Sequence, residues 1–171
     1  MQRFTIHEAA GAGDVAKLKE LLAANPEELD SIRSLAFSFT PLMAAAGSGQ
    51  LDAAHFLIER KAAVDAQNSA GKTPLHLACI RGHVDMAALL LDKGAAINKL
   101  DDDGHTALMF AVRNNKPSCV KVLLERKADT SVKSSELRFC GTTALEIAEF
   151  EKFQEIVSLL QFASAAAPPP A

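Results

Sequence analysis

The sequence predicts an all-α solenoid, a single stack of helix pairs, on three observations: a segment that recurs every 33 residues, helix-start and helix-stop residues at fixed places in each copy, and an apolar stripe of helical spacing that follows. The segments Thr40 to Ala45 (TPLMAA), Thr73 to Ala78 (TPLHLA) and Thr106 to Ala111 (TALMFA) begin 33 residues apart. A fourth, Thr143 to Ala148 (TALEIA), follows after 37, so its preceding loop is four residues longer. A fifth lies upstream, where Ile6 to Ala10 aligns with Leu75 to Cys79.

Within the third unit, Thr73 caps the first helix through its hydroxyl, and Pro74 sits in the first turn, where a missing N–H costs nothing. Gly82 ends that helix; Gly13, Gly49 and Asn115 hold the same place, which calls for a residue tolerant of the left-handed conformation. A second helix begins near Val84 with the stripe Val84, Ala87, Leu90, Leu91, and Gly94 stops it. The stripe recurs as Leu51, Ala54, Leu57, Ile58 and as Pro117, Val120, Leu123, Leu124. The units run over about 4–30, 38–70, 71–103, 104–137 and 141–161. Positions that are apolar in the inner units become Glu8, Lys17 and Glu20 in the first and Glu149, Gln154 and Gln161 in the last, so both ends are expected to be solvated caps of a complete array. The domain is expected to span 1–162, with a disordered Ala/Pro tail over 163–171.

A length of 171 residues suits one cooperative domain. The net charge of -3, with both signs mixed along the chain, excludes the basic footprint that nucleic-acid binding needs. No signal-peptide core and no apolar run of membrane-spanning length occurs, so the expected address is cytoplasmic, with the nucleus open. Cys79, Cys119 and Cys140 are odd in number and widely spaced, which argues against a disulfide framework or a zinc site and for buried or half-buried structural thiols.

The run Gly71-Lys72-Thr73-Pro74-Leu75-His76-Leu77-Ala78, then Gly82-His83-Val84-Asp85, Leu89-Leu90-Leu91 and Gly94-Ala95, closely resembles the ankyrin repeat. The resemblance covers about residues 4–161 and implies antiparallel helix pairs with a β-turn finger projecting between repeats. Ala107 and Ala144 depart from it at the proline, and Met43, Met109 and Glu146 at the histidine, which changes the local threonine–histidine hydrogen bonding. It implies a protein-interaction module or adaptor that binds through its concave face and fingers, or alternatively a stoichiometric inhibitor or assembly chaperone of one client. The chain is expected to be a monomer on its own.

Chemistry-bearing motifs point nowhere else. The five histidines include no HExxH pair, and the glycines of Gly11 to Gly13 and Gly47 to Gly49 lack a phosphate-binding loop around them. His7 and His76 occupy the structural histidine position and His83 follows a helix-ending glycine, whereas His105, beside a finger, is expected to be a contact residue. The run Asp101-Asp102-Asp103 lacks the ligand spacing of a calcium loop and is read as a solvated turn or a partner contact. Asn98 stands where the resemblance implies a hydroxylatable asparagine, with bonding of the finger backbone as its structural role. No enzyme, cofactor or metal is expected.

Mapped by repeat position, the resemblance places partner contacts at Phe37, Phe39 and Ser48, with Gly47; at Ser69, Lys72, Ile80 and Arg81, with Ala70; at Asp102, Asp103, His105, Arg113 and Asn114; and at Phe139, Thr142 and Glu151, with Phe150. Phe37, Phe39 and Phe139 could equally fold back on the core. Arg81 and Arg113 are expected to form a positive row, unless each pairs within the domain.

Overall fold

The computed structural model describes residues 5–32, 38–136 and 140–166. Ten α-helices lie among them, falling in five pairs: α1 (Ile6–Ala12) with α2 (Val15–Ala24), α3 (Pro41–Ser48) with α4 (Leu51–Glu59), α5 (Pro74–Arg81) with α6 (Val84–Asp92), α7 (Ala107–Arg113) with α8 (Pro117–Glu125), and α9 (Ala144–Phe150) with α10 (Gln154–Ala166). A 3₁₀ turn, Pro26–Asp30, follows α2.

Every first helix starts on a threonine. Thr5, Thr40, Thr73, Thr106 and Thr143 hold extended backbone angles, and each hydroxyl accepts the N–H three residues on. Three of them gain a reciprocal bond from the side chain at that third position, which is Glu8, His76 and Glu146. The replacements at the histidine position therefore have two outcomes: Glu146 rebuilds the capping box with a carboxylate, while Met43 and Met109 leave the cap one-sided.

The helix ends confirm the left-handed position at Gly13, Gly49, Gly82 and Asn115, the last with φ 49°. Lys152, with φ 61°, holds it in the last pair and was not among the expected stops. Glycine at Gly49 is required twice over: φ is 71°, and an added Cβ would lie 2.8 Å from Nδ1 of His83. That histidine in turn bonds the Gly47 carbonyl (3.2 Å), tying the third pair to the second.

Each first helix packs on the next along α1, α3, α5, α7 and α9, and each second helix packs likewise along α2, α4, α6, α8 and α10. The two layers bury one continuous core of small and branched side chains, with Ala45, Ala78 and Ala111 fully buried on the first helices. Glu8, Glu20, Glu149, Gln154 and Gln161 are exposed, as the end-cap reading expected, and Lys17 is half-buried beside Glu20.

Two expectations are corrected. Helix α10 continues to Ala166, so residues 163–166 are helical rather than part of a structureless tail: Ala163, Ser164, Ala165 and Ala166 favour helix and no proline interrupts them, while 167–171 lie outside the described residues. Cys140 is exposed, because it sits in the lengthened loop before α9 rather than on a packed helix; Cys79 and Cys119 are buried. Hydrogen bonding with Cys119, together with burial, pushes the Cys79 thiol up, as befits an inert structural sulfur. No described helix is long and apolar enough to cross a membrane.

Candidate functional site

Three of the loops between pairs are each built around one side chain. Asn68 Oδ1 accepts the N–H groups of Ala70 and Lys72, closing a tight turn. Asp101 repeats this 33 residues on, its Oδ1 accepting from Asp103 (3.1 Å) and His105 (2.8 Å). Ser134 Oγ plays the part more weakly in the widened third loop, accepting from Glu136 (3.1 Å). Adjacent fingers join through Asp102 N–H to the Ala70 carbonyl and Ser135 N–H to the Asp103 carbonyl, so they form one ribbon rising beside the first helices. At their bases Asp30, Asp65 and Asn98 accept the backbone N–H of Ala63, Ala96 and Asp129 in the following unit. Asn98 thus bonds finger backbone.

The second of these turns carries a buried polar cluster that the sequence reading placed in solvent. Asp101 is 6% exposed and His105 1%, so neither the solvated-turn reading of Asp101 nor the contact role of His105 holds; Asp102 and Asp103 are the exposed pair. Asp101 Oδ2 stands 3.1 Å from the Lys72 ammonium and Oδ1 lies 3.5 Å from Nδ1 of His105. His105 Nε2 meets Ser134 Oγ (3.0 Å), Glu136 Oε2 (3.2 Å) and Arg113 Nη1 (3.3 Å). Lys72 and His105 also both lie against the Phe110 ring. Burial pushes the Asp101 carboxyl up, but the His105 side chain, its backbone N–H and Lys72 outweigh it and hold the group well below the usual carboxylate range.

The order Asp101, His105, Ser134 resembles a nucleophile relay in sequence of contacts only. Ser134 is 3% exposed and its oxygen is committed to His105 and to Glu136 N–H, so no substrate atom could reach it. Asp101, Asp103 and His105 also bring one ligand atom each within 4.8 Å of one another. A cation there would have to displace Lys72 and compete with the two turn N–H groups for Asp101, so the donor set fits a finger staple better than a metal site.

Beside the fingers, the first helices are hollowed by two open grooves. One, of about 390 Å³, is lined by His7, Glu8, Phe39, Met43, Ala44, Gly47, Ser48, Leu77, Ile80 and Arg81. The other, of about 440 Å³, is lined by Lys72, Ile80, Asp103, His105, Phe110, Arg113, Asn114 and Glu136. Ile80 is the ridge they share. Most of the expected contact residues therefore converge: Phe39, Ser48, Ile80 and Arg81 on the first groove, Lys72, Asp103, Arg113 and Asn114 on the second. Ser69 and Asp102 are exposed on the fingers. Thr142 is half-buried and its carbonyl accepts Ser134 N–H, while Glu151 is half-buried at the end of α9 and Phe150 is 65% exposed. Phe37 and Phe139 lie outside the described residues.

The positive row expected from Arg81 and Arg113 does not form. Arg113 donates to Glu136 at 2.8 Å, which cancels its charge locally, whereas Arg81 is exposed and has no ion pair among the described residues. Sequence reasoning missed Asp101, Ser134 and Glu136 as the partners of His105. The 33-residue spacing of Asn68, Asp101 and Ser134, the first two at equal places before Thr73 and Thr106, was the available signal for Asp101 and Ser134, and the longer loop before Thr143 hid Glu136.

No curated protein matches the chain. The family model for ankyrin repeats, three copies long, matches residues 6–101 and again 94–167, and with the paired helices and bonded fingers it shows that the chain belongs to the ankyrin-repeat family.

Proposed function

We propose that this protein is a monomeric interaction module that binds a protein partner across its concave face and fingers, without catalysing a reaction. Ankyrin repeats generally mediate protein–protein interaction. The observation that carries the reading is the pair of adjoining open grooves on the finger side of the first helices, on which most of the expected contact residues meet. Both grooves are shallow and open, a form suited to another protein's surface rather than to enclosing a small substrate. The polar groups that resemble catalytic machinery are buried and committed to one another, which supports binding over chemistry. The mixed charge of the second groove and the net charge of -3 favour a polar protein surface over a polyanion.

The test is to identify the partner by affinity capture with mass spectrometry, then to measure its affinity for two double variants. Arg81→Glu with Asn114→Lys alters the grooved face at exposed positions. Glu59→Lys with Glu125→Lys alters the second helices. The first should weaken binding and the second leave it unchanged; undiminished binding by the first, or equal loss from both, would move the site elsewhere.

A further inference from the structure

The two positions before each left-handed stop set the floor of the grooved face, and one of them is occupied in order by Gly11, Gly47, Ile80, Arg113 and Phe150. The first two have no side chain. A Cβ built on Gly47 would meet only Leu77 Cβ, at 4.0 Å, so the floor above the second pair is open, whereas one on Gly11 would rest in ordinary contact with Ser48 Oγ (3.6 Å) and with the Cβ and carbonyl oxygen of Ala44 (3.9 Å each) in α3. Around it stand Phe39, Met43, Leu77 and Ile80. Arg81, at the third-pair end, is exposed and without an ion pair among the described residues, while Glu8 lines the opposite end over the first pair.

From this we infer that the glycine-floored groove takes one large apolar side chain of an extended partner segment, followed on the Arg81 side by an acidic side chain. The inference rests on the concave-face reading and narrows it. At about 390 Å³ the groove lies at the small end of ligand cavities, roughly 300–1,000 Å³, which suits a side chain or two and not a helix. Charge sets the direction: a carboxylate placed over Arg81 is attracted, and the same group over the Glu8 end is repelled. The second groove cannot serve the same chemistry, because Arg113 fills the floor position and is already neutralised by Glu136.

Gly47 supplies a clean test. It lies within α3 and its φ is not left-handed, so Gly47→Leu fills the groove without backbone strain and should leave the thermal midpoint unchanged or raised. The probes are fluorescent ten-residue peptides on a Gly/Ser background, with Leu, Phe or Ala at the centre and Glu, Gln or Lys placed one to three positions to either side. Peptides pairing Leu or Phe with Glu should bind best, and replacing the apolar residue by Ala should weaken binding about tenfold or more. Arg81→Glu should weaken the Glu peptides about three- to tenfold and favour the Lys ones. Gly47→Leu should abolish binding of all of them, with Glu125→Lys, exposed on the second helices and outside both grooves, as the unaffected control. Binding that ignores Gly47→Leu, a preference for Lys peptides by the unaltered protein, or no binding by any peptide would overturn the inference. The identified partner separates it from the broader reading: if Asn114→Lys weakens that partner and Gly47→Leu does not, the concave face stands and this groove assignment falls.

Discussion

The groove over the first two repeats and the groove over the third and fourth share a backbone design and a common ridge, yet one is open apolar floor and the other is crowded with ion pairs. The difference traces to a few positions. Where Gly47 stops at Cα, Arg113 reaches across to Glu136 and closes over His105, which rests on Asp101 and Ser134. A finger turn held by neutral Asn68 becomes, one repeat later, a turn held by a buried charge with Lys72 as its counter-ion. In a solenoid, side chains at equivalent places can thus change the chemistry of the surface while the stack that carries it stays constant.

The largest effect is expected from removing the two turn-holding side chains in parallel. Asp101→Ala leaves two backbone donors and Lys72 without their partner and should cost about 3–5 kcal/mol, whereas Asn68→Ala should cost about 1–3 kcal/mol, both read from urea unfolding. Equal losses would mean that the charge in the second finger adds nothing. Asp101→Asn, which copies the neighbouring finger, should recover part of the loss.

Acid should act on the same half first. Burial pushes the His76 imidazole below its ordinary value, against the pull of the His105 carbonyl and Asp101, so the folded state holds it neutral. Its contribution is present above the unfolded value of about 6.5 and is lost as pH falls below it. Asp101, also depressed, contributes above about 3.9, and that stability is lost at lower pH still. The urea midpoint should therefore decline between pH 7 and 5 and again below 4, and His76→Gln, starting less stable, should lose the first decline alone.

A smaller effect tests whether the core beneath both grooves is uniform. Ala78→Leu and Ala45→Leu each force a larger side chain between first helices and should cost about 1–3 kcal/mol. A neutral result at either site would place that helix face in solvent. Smallest of all, Lys61 (φ 75°) and Lys127 (φ 62°) end second helices in the left-handed region that Gly94 holds in the third repeat. Lys61→Gly and Lys127→Gly should each raise stability by about 0.5–1 kcal/mol, equally in the two halves and without touching either groove. Destabilisation would show that the lysine side chains do more than tolerate strain.

The repeat period, the threonine caps, the stop positions through Asn115 and the small-residue face at Ala45, Ala78 and Ala111 are legible in the residues alone. These are local properties: a hydroxyl three residues from its donor, a residue able to take positive φ, a stripe of helical spacing. Lys152 escaped because lysine in the sequence gives no sign of the left-handed conformation it adopts. Contacts between repeats settle the rest: Asp101 and His105 are buried while Asp102 and Asp103 are exposed, Glu136 neutralises Arg113, and Gly47 faces open floor. Each depends on which groups from different repeats are brought within a few ångströms, and a periodic sequence fixes the spacing of its units without stating what the side chains of one unit will meet in the next.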